Sequence, residues 1–230
     1  MNPKDPNIAQ VELVAAALGE LTKRVVLVGG CAAGLLISDS AQPPIRVTFD
    51  VDIVTATTGV LEFYAIEDQL RSLGFRQDMR DGAPKCRYVV NGVIVDVMPA
   101  SETEESNRWY REAITSASEI RLPSGNTIRL ISAPAFIATK LVAFENRGGG
   151  DFAASHDIED VLAVLDGREE ALSELSAANK DLRIYIASTI RGFMGEQRFI
   201  DAVAGFFYSG EYSRTREPIL LGRLKAIAES

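Results

Sequence analysis

The chain has 230 residues, 47% of them hydrophobic, which suits one large globular domain or two small ones. Its 24 basic and 32 acidic side chains give a formal net charge of −8, which argues against a protein coated with basic surface for duplex nucleic acid. Because the chain has one histidine and two cysteines without Cys-x-x-Cys spacing, we expect neither zinc nor disulfides. Lacking a signal pattern and a run of about 18 apolar residues, it is expected to be cytoplasmic, without membrane contact.

The first predicted elements are a helix, a strand, a turn and a second helix. Apolar residues at helical spacing predict an amphipathic helix from Ile8 to Leu21. Four apolar residues, Val25–Val28, predict a buried strand, Gly29 and Gly30 a tight turn, and Cys31–Ile37 a helix. A glycine turn that leads into a helix lets backbone N–H groups approach a phosphate, so this segment is a candidate phosphate site.

The next predicted strand, from Ile45 to Val54, contains the motif Asp50-Val-Asp52. Because side chains alternate along a strand, both aspartates point to one face, and Val51 and Ile53 point to the other. Two carboxylates this close repel each other, and a divalent cation between them removes that cost. Their hard oxygen ligands suit magnesium. The alternative is an edge strand whose two aspartates face solvent.

A helix is predicted from Gly59 to Leu73, and a hairpin follows within residues 86–99. Its turn is Asn91-Gly92, the strongest short signal for a hairpin. The second strand reads Val-Ile-Val-Asp-Val-Met, and a buried Asp96 in such a strand needs a partner or a metal. Beside the Asp-x-Asp strand it would complete a two-metal cluster. The alternative is an alternating strand in which Asp96 faces water.

A second hairpin with a glycine-containing turn is predicted within residues 120–131, and a helix follows within residues 132–147. Lys140 shares a helical face with Phe136 and Phe144, so its side chain can extend along the apolar surface to reach water.

Ser155 is a candidate N-cap for the following helix. Asp157 and Asp160 lie three positions apart, and their negative charge also suits a first helical turn, so a structural role for them is open. His156, the only histidine, is interpreted as a surface residue in preference to a general base.

The remainder of the chain is predicted to form a helical bundle. Its four helices are Ala171–Ala178, Leu182–Met194, Phe199–Phe207 and Ile219–Ile227. Between the last two, Tyr208, Arg214 and Arg216 either contact a substrate phosphate or base or lie in a solvated loop.

The order Gly-Gly, then Thr-x-Asp-x-Asp, then a single aspartate in a later strand resembles the DNA polymerase β-like nucleotidyltransferase superfamily over Val25 to Pro99. Within it, the chain looks most like a bacterial branch related to the AbiEii-type toxin nucleotidyltransferases. That branch has Arg-x-Thr-x-Asp-x-Asp, here starting at Arg46, and a helix with Lys-x-x-Ala-x-x-x-Arg, here starting at Lys140.

The resemblance implies an α+β fold in which a mixed nucleotidyltransferase-type sheet flanked by helices is followed by a C-terminal helical bundle. We expect residues 1–131 to form the catalytic domain. Residues 132–230 are expected to form a helical domain that completes the nucleotide and acceptor site.

The resemblance also implies transfer of a nucleoside monophosphate from a nucleoside triphosphate to an acceptor hydroxyl, with release of pyrophosphate. The catalytic residues, expected to hold two Mg²⁺ or Mn²⁺ ions, are Asp50, Asp52 and Asp96. The expected nucleotide-binding residues are Gly29, Gly30, Arg46, Thr48, Lys140 and Asp157. The acceptor would be an RNA end, a protein or a small molecule, and an antitoxin protein would be a further partner.

Two other functions compete with this hypothesis. A glycosyltransferase could use Asp-x-Asp to hold the metal of a nucleotide sugar. That class is expected to have a nucleotide-binding α/β half ahead of the motif, and the 49 residues before Asp50 are few for such a half. A non-catalytic nucleotide-binding or toxin–antitoxin interaction protein could keep the same scaffold. The complete set of three aspartates argues against that second alternative.

Overall fold

The computed structural model describes residues 5–39, 45–57, 59–100, 106–147, 149–207 and 211–230, apart from the side chains of residues 60 and 211–214. The helices are α1 (Ile8–Leu18), α2 (Gly29–Leu36), α3 (Val60–Ser72), α4 (Tyr110–Thr115), α5 (Ala133–Arg147), α6 (His156–Gly167), α7 (Ala171–Ala177), α8 (Lys180–Met194), α9 (Gln197–Phe206) and α10 (Glu211–Ala228). The strands are β1 (Val25–Val28), β2 (Asp50–Thr55), β3 (Arg76–Gln77), β4 (Arg87–Val90), β5 (Val93–Pro99), β6 (Ser118–Arg121) and β7 (Thr127–Leu130).

The described residues divide into two compact units. The sheet unit lies within Pro3–Leu35 and Pro44–Ser132, and the helical unit lies within Leu36–Pro43 and Ala133–Ser230. All seven described strands form one sheet in the order β3-β4-β5-β2-β1-β7-β6. It is mixed, because β2 is parallel to β5 and β1 is parallel to β7, whereas the other neighbours are antiparallel.

The centre of the sheet is apolar because its strands supply β-branched residues to the core. Every residue of β1 is buried, as its unbroken run of valine and leucine predicts. The helix before it ends at Leu18, three residues earlier than predicted. Gly19 adopts a positive φ of 52°, and a 3-10 helix, Gly19–Arg24, leads into β1.

Both predicted hairpins are confirmed. Asn91 and Gly92 have positive φ angles of 49° and 81°, as a two-residue hairpin turn requires, and β4 pairs with β5 across them. β6 pairs antiparallel with β7 around a turn in which Gly125 has a φ of 92°. The tip of that hairpin is held by α1, since the backbone N–H of Ser124 donates to Glu12 at 2.7 Å.

The Asp-x-Asp strand is shorter than predicted, because it begins at Asp50 and not at Ile45. Asn7, which precedes α1, and Gln10 of α1 make hydrogen bonds to the backbone before Asp50. Buried Asn7 donates to the Arg46 carbonyl and accepts from the Thr48 N–H, both at 3.0 Å. Gln10 donates to the Thr48 carbonyl at 3.0 Å. The residues before β2 are therefore anchored to a helix and not to the sheet.

The helical unit has an aromatic core. α5 packs on α6 and α8, and α10 packs on α6 and α8. Four phenylalanine rings, each within 5.5 Å of another between centroids, fill the interior; they are Phe144, Phe152, Phe193 and Phe199. The predicted order, a mixed sheet with helices followed by further helices, is confirmed.

The C-terminal end of α6 joins segment 36–39 to the helical unit. The N–H groups of Ser38 and Asp39 donate to the Gly167 carbonyl at 3.0 and 2.9 Å. Arg168 donates to the Leu36 carbonyl at 2.6 Å. The carbonyl groups at this helix end are thus satisfied by the chain that follows α2.

The last helix starts at Glu211, earlier than the predicted Ile219, and Pro218 lies inside it. Arg223 of this helix donates to three backbone carbonyls between Leu165 and Arg168, so the helix is fixed by tertiary contacts. Among the helices described above, none is both long and apolar enough to cross a membrane.

Candidate active site

Three acidic side chains share one face of the sheet. Asp52 of β2 is in register with Asp96 of β5, and Asp50 lies two residues before Asp52 on the same face. The opposite face of β2 carries Val51 and Ile53, both fully buried. The strand thus places its carboxylates on one side and its core residues on the other, as the alternating sequence predicts.

An arginine that the sequence analysis did not single out completes this group. Arg87 of β4 is in register with Asp96. Its Nε and Nη2 donate to the two oxygens of Asp96 at 2.8 and 2.7 Å, and Nη2 also lies 3.2 Å from Asp50 Oδ2. We call Asp50, Asp52, Asp96 and Arg87 the carboxylate cluster. As defined, it contains three acids and one base.

The carboxylate cluster is only partly shielded from water. The side chain of Asp96 is 12% exposed, whereas those of Arg87 and Asp50 are 24% and 32% exposed. The hydrogen bonds to Asp96 raise the pKa of the Arg87 guanidinium above its ordinary value, so this side chain stays charged.

The start of α2 lies against the carboxylate cluster. Gly29, with a φ of 63°, turns the chain from β1 into α2. A Cβ atom at this position would lie 1.9 Å from Asp52 Oδ2, which is closer than two such atoms can approach. Glycine is therefore required here by its dihedral angle and by the carboxylate. A helix N-terminus beside a carboxylate is electrostatically favourable.

The next glycine of α2 faces the motif that precedes Asp50. A Cβ atom at Gly30 would lie 3.0 Å from Arg46 Nη2 and 3.3 Å from Thr48 Oγ1. The Thr48 hydroxyl in turn donates to Asp50 Oδ1 at 3.2 Å. The structure thus brings the predicted phosphate-binding turn, Arg46 and Thr48 together with the aspartates.

Cys31 of α2 contacts the first residue of β2. Its thiol is fully buried and donates to the Asp50 carbonyl, with a sulfur–oxygen distance of 3.3 Å. Burial raises the pKa of this thiol, and the charges of Asp52 and Asp5 add to the effect. Cys31 is thus a small buried residue, whereas Cys86 is half-buried, and both thiols are free.

The other two predicted nucleotide-binding residues lie in the helical unit, where they form a group of their own. Lys140 Nζ of α5 lies 3.2 Å from Asp157 Oδ1 and 2.6 Å from Asp160 Oδ2. Arg147 donates to both oxygens of Asp157 at 3.0 Å. We call these four residues the lysine cluster. Lys140 and Asp157, which are both expected to bind nucleotide, are therefore direct neighbours.

The charges of the lysine cluster balance, and three of its four side chains are buried, whereas that of Arg147 is 71% exposed. The side chains of Lys140, Asp157 and Asp160 are 8%, 7% and 3% exposed. Burial pushes the pKa of Asp157 up, but the hydrogen bond from Arg147 and the charge of Lys140 outweigh it, so the pKa lies below its ordinary value. Contact of Lys140 with nucleotide phosphates stays a prediction, since its ammonium group already has two carboxylate partners.

The remaining candidates have ordinary structural surroundings where they are described. Ser155 caps α6 as predicted, accepting from the Ile158 N–H at 3.3 Å. The ring of His156 is 71% exposed and lies 3.1 Å from Glu159. Arg216 is helical and bonds to Asp166 and Asp39, so it is not in a solvated loop. Tyr208 and the side chain of Arg214 lie outside the described residues.

The donor set of the carboxylate cluster suits a hard divalent cation, because it consists of three carboxylates on neighbouring strands. In the structure, however, the three carboxylates do not converge on one common position. Within the described ranges, no three His, Cys, Asp or Glu side chains are grouped as ligands of one metal ion, and Arg87 occupies both oxygens of Asp96. A cation that binds Asp96 therefore competes with the guanidinium for these oxygens.

No protein-family model matches the chain, and no curated protein matches it significantly. Solved structures do. An antigenic nucleotidyltransferase-like protein from Paracoccidioides brasiliensis is 19% identical and aligns over 98% of this chain and 94% of its own, with a TM-score of 0.52. At this level of identity, the structural match shows a likeness of fold alone.

Two further structures are more distant. The antibiotic-resistance factor ANT(2'')-Ia is 15% identical over 82% of this chain and 93% of its own, with a TM-score of 0.48. A putative nucleotidyltransferase from H. pylori is 14% identical over 97% of this chain and 93% of its own, with a TM-score of 0.46. The predicted fold class is confirmed: the chain has the mixed α+β fold of a nucleotidyltransferase-like protein.

Proposed function

We propose that the protein is a metal-dependent nucleotidyltransferase. The observation that carries the proposal is the convergence of Gly29 and Gly30, Arg46 and Thr48, and the three aspartates within the sheet unit. Segments far apart in the sequence meet beside the interior strands β5, β2 and β1 of the sheet. The fold shared with a nucleotidyltransferase-like protein supports the same chemistry.

Asp50, Asp52 and Asp96 would hold Mg²⁺ or Mn²⁺ in this mechanism. A divalent cation held there lowers the pKa of the acceptor hydroxyl and offsets the charge that develops on the phosphates. The backbone N–H groups at the start of α2 and the Arg46 guanidinium are the groups of this chain that would bind the phosphates. Thr48 positions Asp50 through its hydroxyl.

The transfer step forms one bond and breaks another. The acceptor oxygen attacks the α-phosphorus of the nucleoside triphosphate, and the bond from that phosphorus to the bridging oxygen of the β-phosphate breaks. Pyrophosphate leaves with the electron pair of that bond. Asp96 accepts the proton of the acceptor hydroxyl, which requires that one of its oxygens be released by Arg87.

The acceptor would be an RNA end, a protein or a small molecule, and membership of the AbiEii-related branch with an antitoxin partner stays a prediction. Incubation of the pure protein with each α-labelled nucleoside triphosphate, Mg²⁺ or Mn²⁺ and a cell lysate identifies both substrates. The label is expected in one class of macromolecule or metabolite and with one preferred base.

The decisive variant is Asp50→Asn. It keeps the size of the side chain and removes a metal-binding charge, so we expect transfer to fall by about 1,000-fold or more with little loss of fold. Asp68→Asn is a matched control, because Asp68 is an exposed aspartate of α3 paired with Arg71. Full activity of Asp50→Asn on the identified substrate would exclude this function.

The bond between Arg87 and Asp96 favours one alternative, a protein that binds nucleotide without transferring it. Such a protein would bind labelled nucleoside triphosphate in equilibrium dialysis and release no pyrophosphate with any acceptor. Its Asp50→Asn variant would then change nucleotide affinity alone.

A further inference from the structure

Arg87 makes contacts that conflict with the role of its partners. The mechanism above uses the oxygens of Asp50 and Asp96, and the guanidinium bonds to both of these side chains. Because an arginine and a carboxylate joined by two parallel hydrogen bonds make one of the stronger pairs in proteins, this contact is not incidental. A cation and Arg87 therefore compete for the same oxygen atoms.

The hairpin fixes this competition in the fold. Arg87 and Asp96 face each other across β4 and β5, in a register set by the two-residue turn at Asn91 and Gly92. The guanidinium then extends past β5 to reach Asp50 on β2. With 24% of its side chain exposed, Arg87 also reaches the solvent from which substrates arrive.

The guanidinium group has a second class of partner. Its planar donors match the oxygens of phosphate as well as those of carboxylate. A nucleoside triphosphate that binds beside the aspartates brings several such oxygens, and its negative charge attracts Arg87. Nucleoside triphosphate would therefore draw Arg87 away from the aspartates and would also supply further oxygen ligands for the metal ion.

We propose that Arg87 competes with the divalent cation for Asp50 and Asp96, and that the triphosphate of the nucleotide draws it away. Cation and nucleotide then bind cooperatively, because each is favoured by the departure of Arg87 from the aspartates. By linkage the coupling is reciprocal, so each ligand tightens the other by the same factor. This inference rests on the proposed nucleotidyl transfer and adds a control on its metal site.

Mn²⁺ binding without nucleotide tests the competition directly. Free Mn²⁺ is followed by its electron paramagnetic resonance signal as it is titrated into the wild-type full chain and into Arg87→Met, which has a similar length and no charge. We expect Arg87→Met to bind Mn²⁺ roughly 5- to 150-fold more tightly, the typical range of a coupling free energy expressed as a change in affinity. Arg87→Lys keeps a charge without the planar donors and should fall between the two.

Thermal unfolding provides a second readout. In Arg87→Met the nearly buried Asp96 loses its counter-charge, so the protein should melt at a lower temperature in EDTA, and Mn²⁺ should recover that loss. Arg71→Gln removes an exposed arginine of the same unit that bonds to Asp68, and it should leave Mn²⁺ affinity unchanged.

The effect of nucleotide on Mn²⁺ binding is tested with α,β-methylene nucleoside triphosphates, which cannot release pyrophosphate. The amount of Mn²⁺ that the free analogue binds is subtracted. These analogues should tighten Mn²⁺ binding to the wild type at least about 5-fold, the lower end of typical coupling, and much less in Arg87→Met. Equal Mn²⁺ affinity of the wild type and both Arg87 variants, with Mn²⁺ and analogue still bound, overturns this inference alone. Absence of Mn²⁺ binding to every form, with or without the analogue, overturns the proposed function itself.

Discussion

The two ionic clusters both combine aspartates with basic side chains, and they differ in burial and in the numbers of acids and bases. The carboxylate cluster has three acids to one base, and Asp50 keeps 32% of its side chain exposed. The lysine cluster has two acids to two bases, and the side chain of Lys140 is 8% exposed. A buried group of charges is tolerated when each charge has a partner. An accessible excess of one charge needs a ligand.

The difference separates a structural role from a binding role more clearly than residue type does. Lys140 and Asp157 match the motif of the AbiEii-related branch, yet their contacts are those of an internal ion pair between α5 and α6. Asp50 and Asp96 share the Arg87 guanidinium and remain partly exposed to water. We therefore expect substitutions in the lysine cluster to act on stability and those in the carboxylate cluster to act on activity.

Lys140→Met is the largest expected break in this pattern. Removing one partner of a buried ion pair leaves Asp160 without this ammonium group, so the free energy of unfolding should fall by about 3 to 5 kcal/mol. Urea denaturation measures the change. Lys23→Met, which removes an exposed lysine paired with Glu20, should leave the unfolding curve unaltered.

The opposite result would remove the distinction between the clusters. If Lys140→Met kept its stability and raised the KM for the nucleoside triphosphate, Lys140 would bind phosphate as its motif predicts. The comparison would then have to rest on the carboxylate cluster alone.

Gly29→Ala sharpens the comparison from the other side. The added methyl group would collide with Asp52, so the carboxylate must move, and a displacement near 1 Å at a reacting centre costs about 100-fold in rate. Gly74→Ala is the control, since Gly74 also has a positive φ, of 90°, but no atom lies within 4 Å of its added Cβ. Both variants bear backbone strain of about 1 to 2 kcal/mol, and only Gly29→Ala should lose transfer activity. Equal activity of the two would show that Asp52 need not be held where it is.

The smallest expected effect is on the pH dependence of stability. The folded-state pKa of Asp157 is lowered, so its ion pairs contribute stability above the unfolded pKa of about 3.9, and that contribution is lost as the pH falls through the folded pKa. Asp157→Asn should be less stable than the wild type at pH 7 and should lose less stability below about pH 4. Urea midpoints between pH 7 and pH 2 provide the test, and parallel curves for both proteins would contradict it.

Local signals in the sequence identified most of the sheet. The Asn91-Gly92 turn specified the β4–β5 hairpin, and the alternation around Asp50 and Asp52 placed both on one face. The same turn also determines which residues face each other across the hairpin. In a hairpin whose turn residues are 91 and 92, position 87 faces position 96, so the pairing of Arg87 with Asp96 follows from the sequence.

Other features depend on contacts between distant segments. β2 starts at Asp50 because Asn7 and Gln10 hold the preceding backbone, and nothing near residue 45 in the sequence signals that a helix will do so. Pro218 is a helix breaker by propensity, yet it lies inside α10, whose Arg223 is held by carbonyls at the end of α6. Tertiary packing overrides local preference at both places.

The two-residue turn between β4 and β5 has a kinetic consequence. Arg87 and Asp96 belong to one stiff hairpin, so no backbone movement can separate their Cα atoms while the register is kept. Their side chains can part by rotation about the side-chain bonds of Arg87 or of Asp96, and such rotamer changes take nanoseconds or less at exposed positions. Exchange of the guanidinium for an incoming ligand would therefore be far faster than a turnover, and the slow step of the cycle would lie elsewhere.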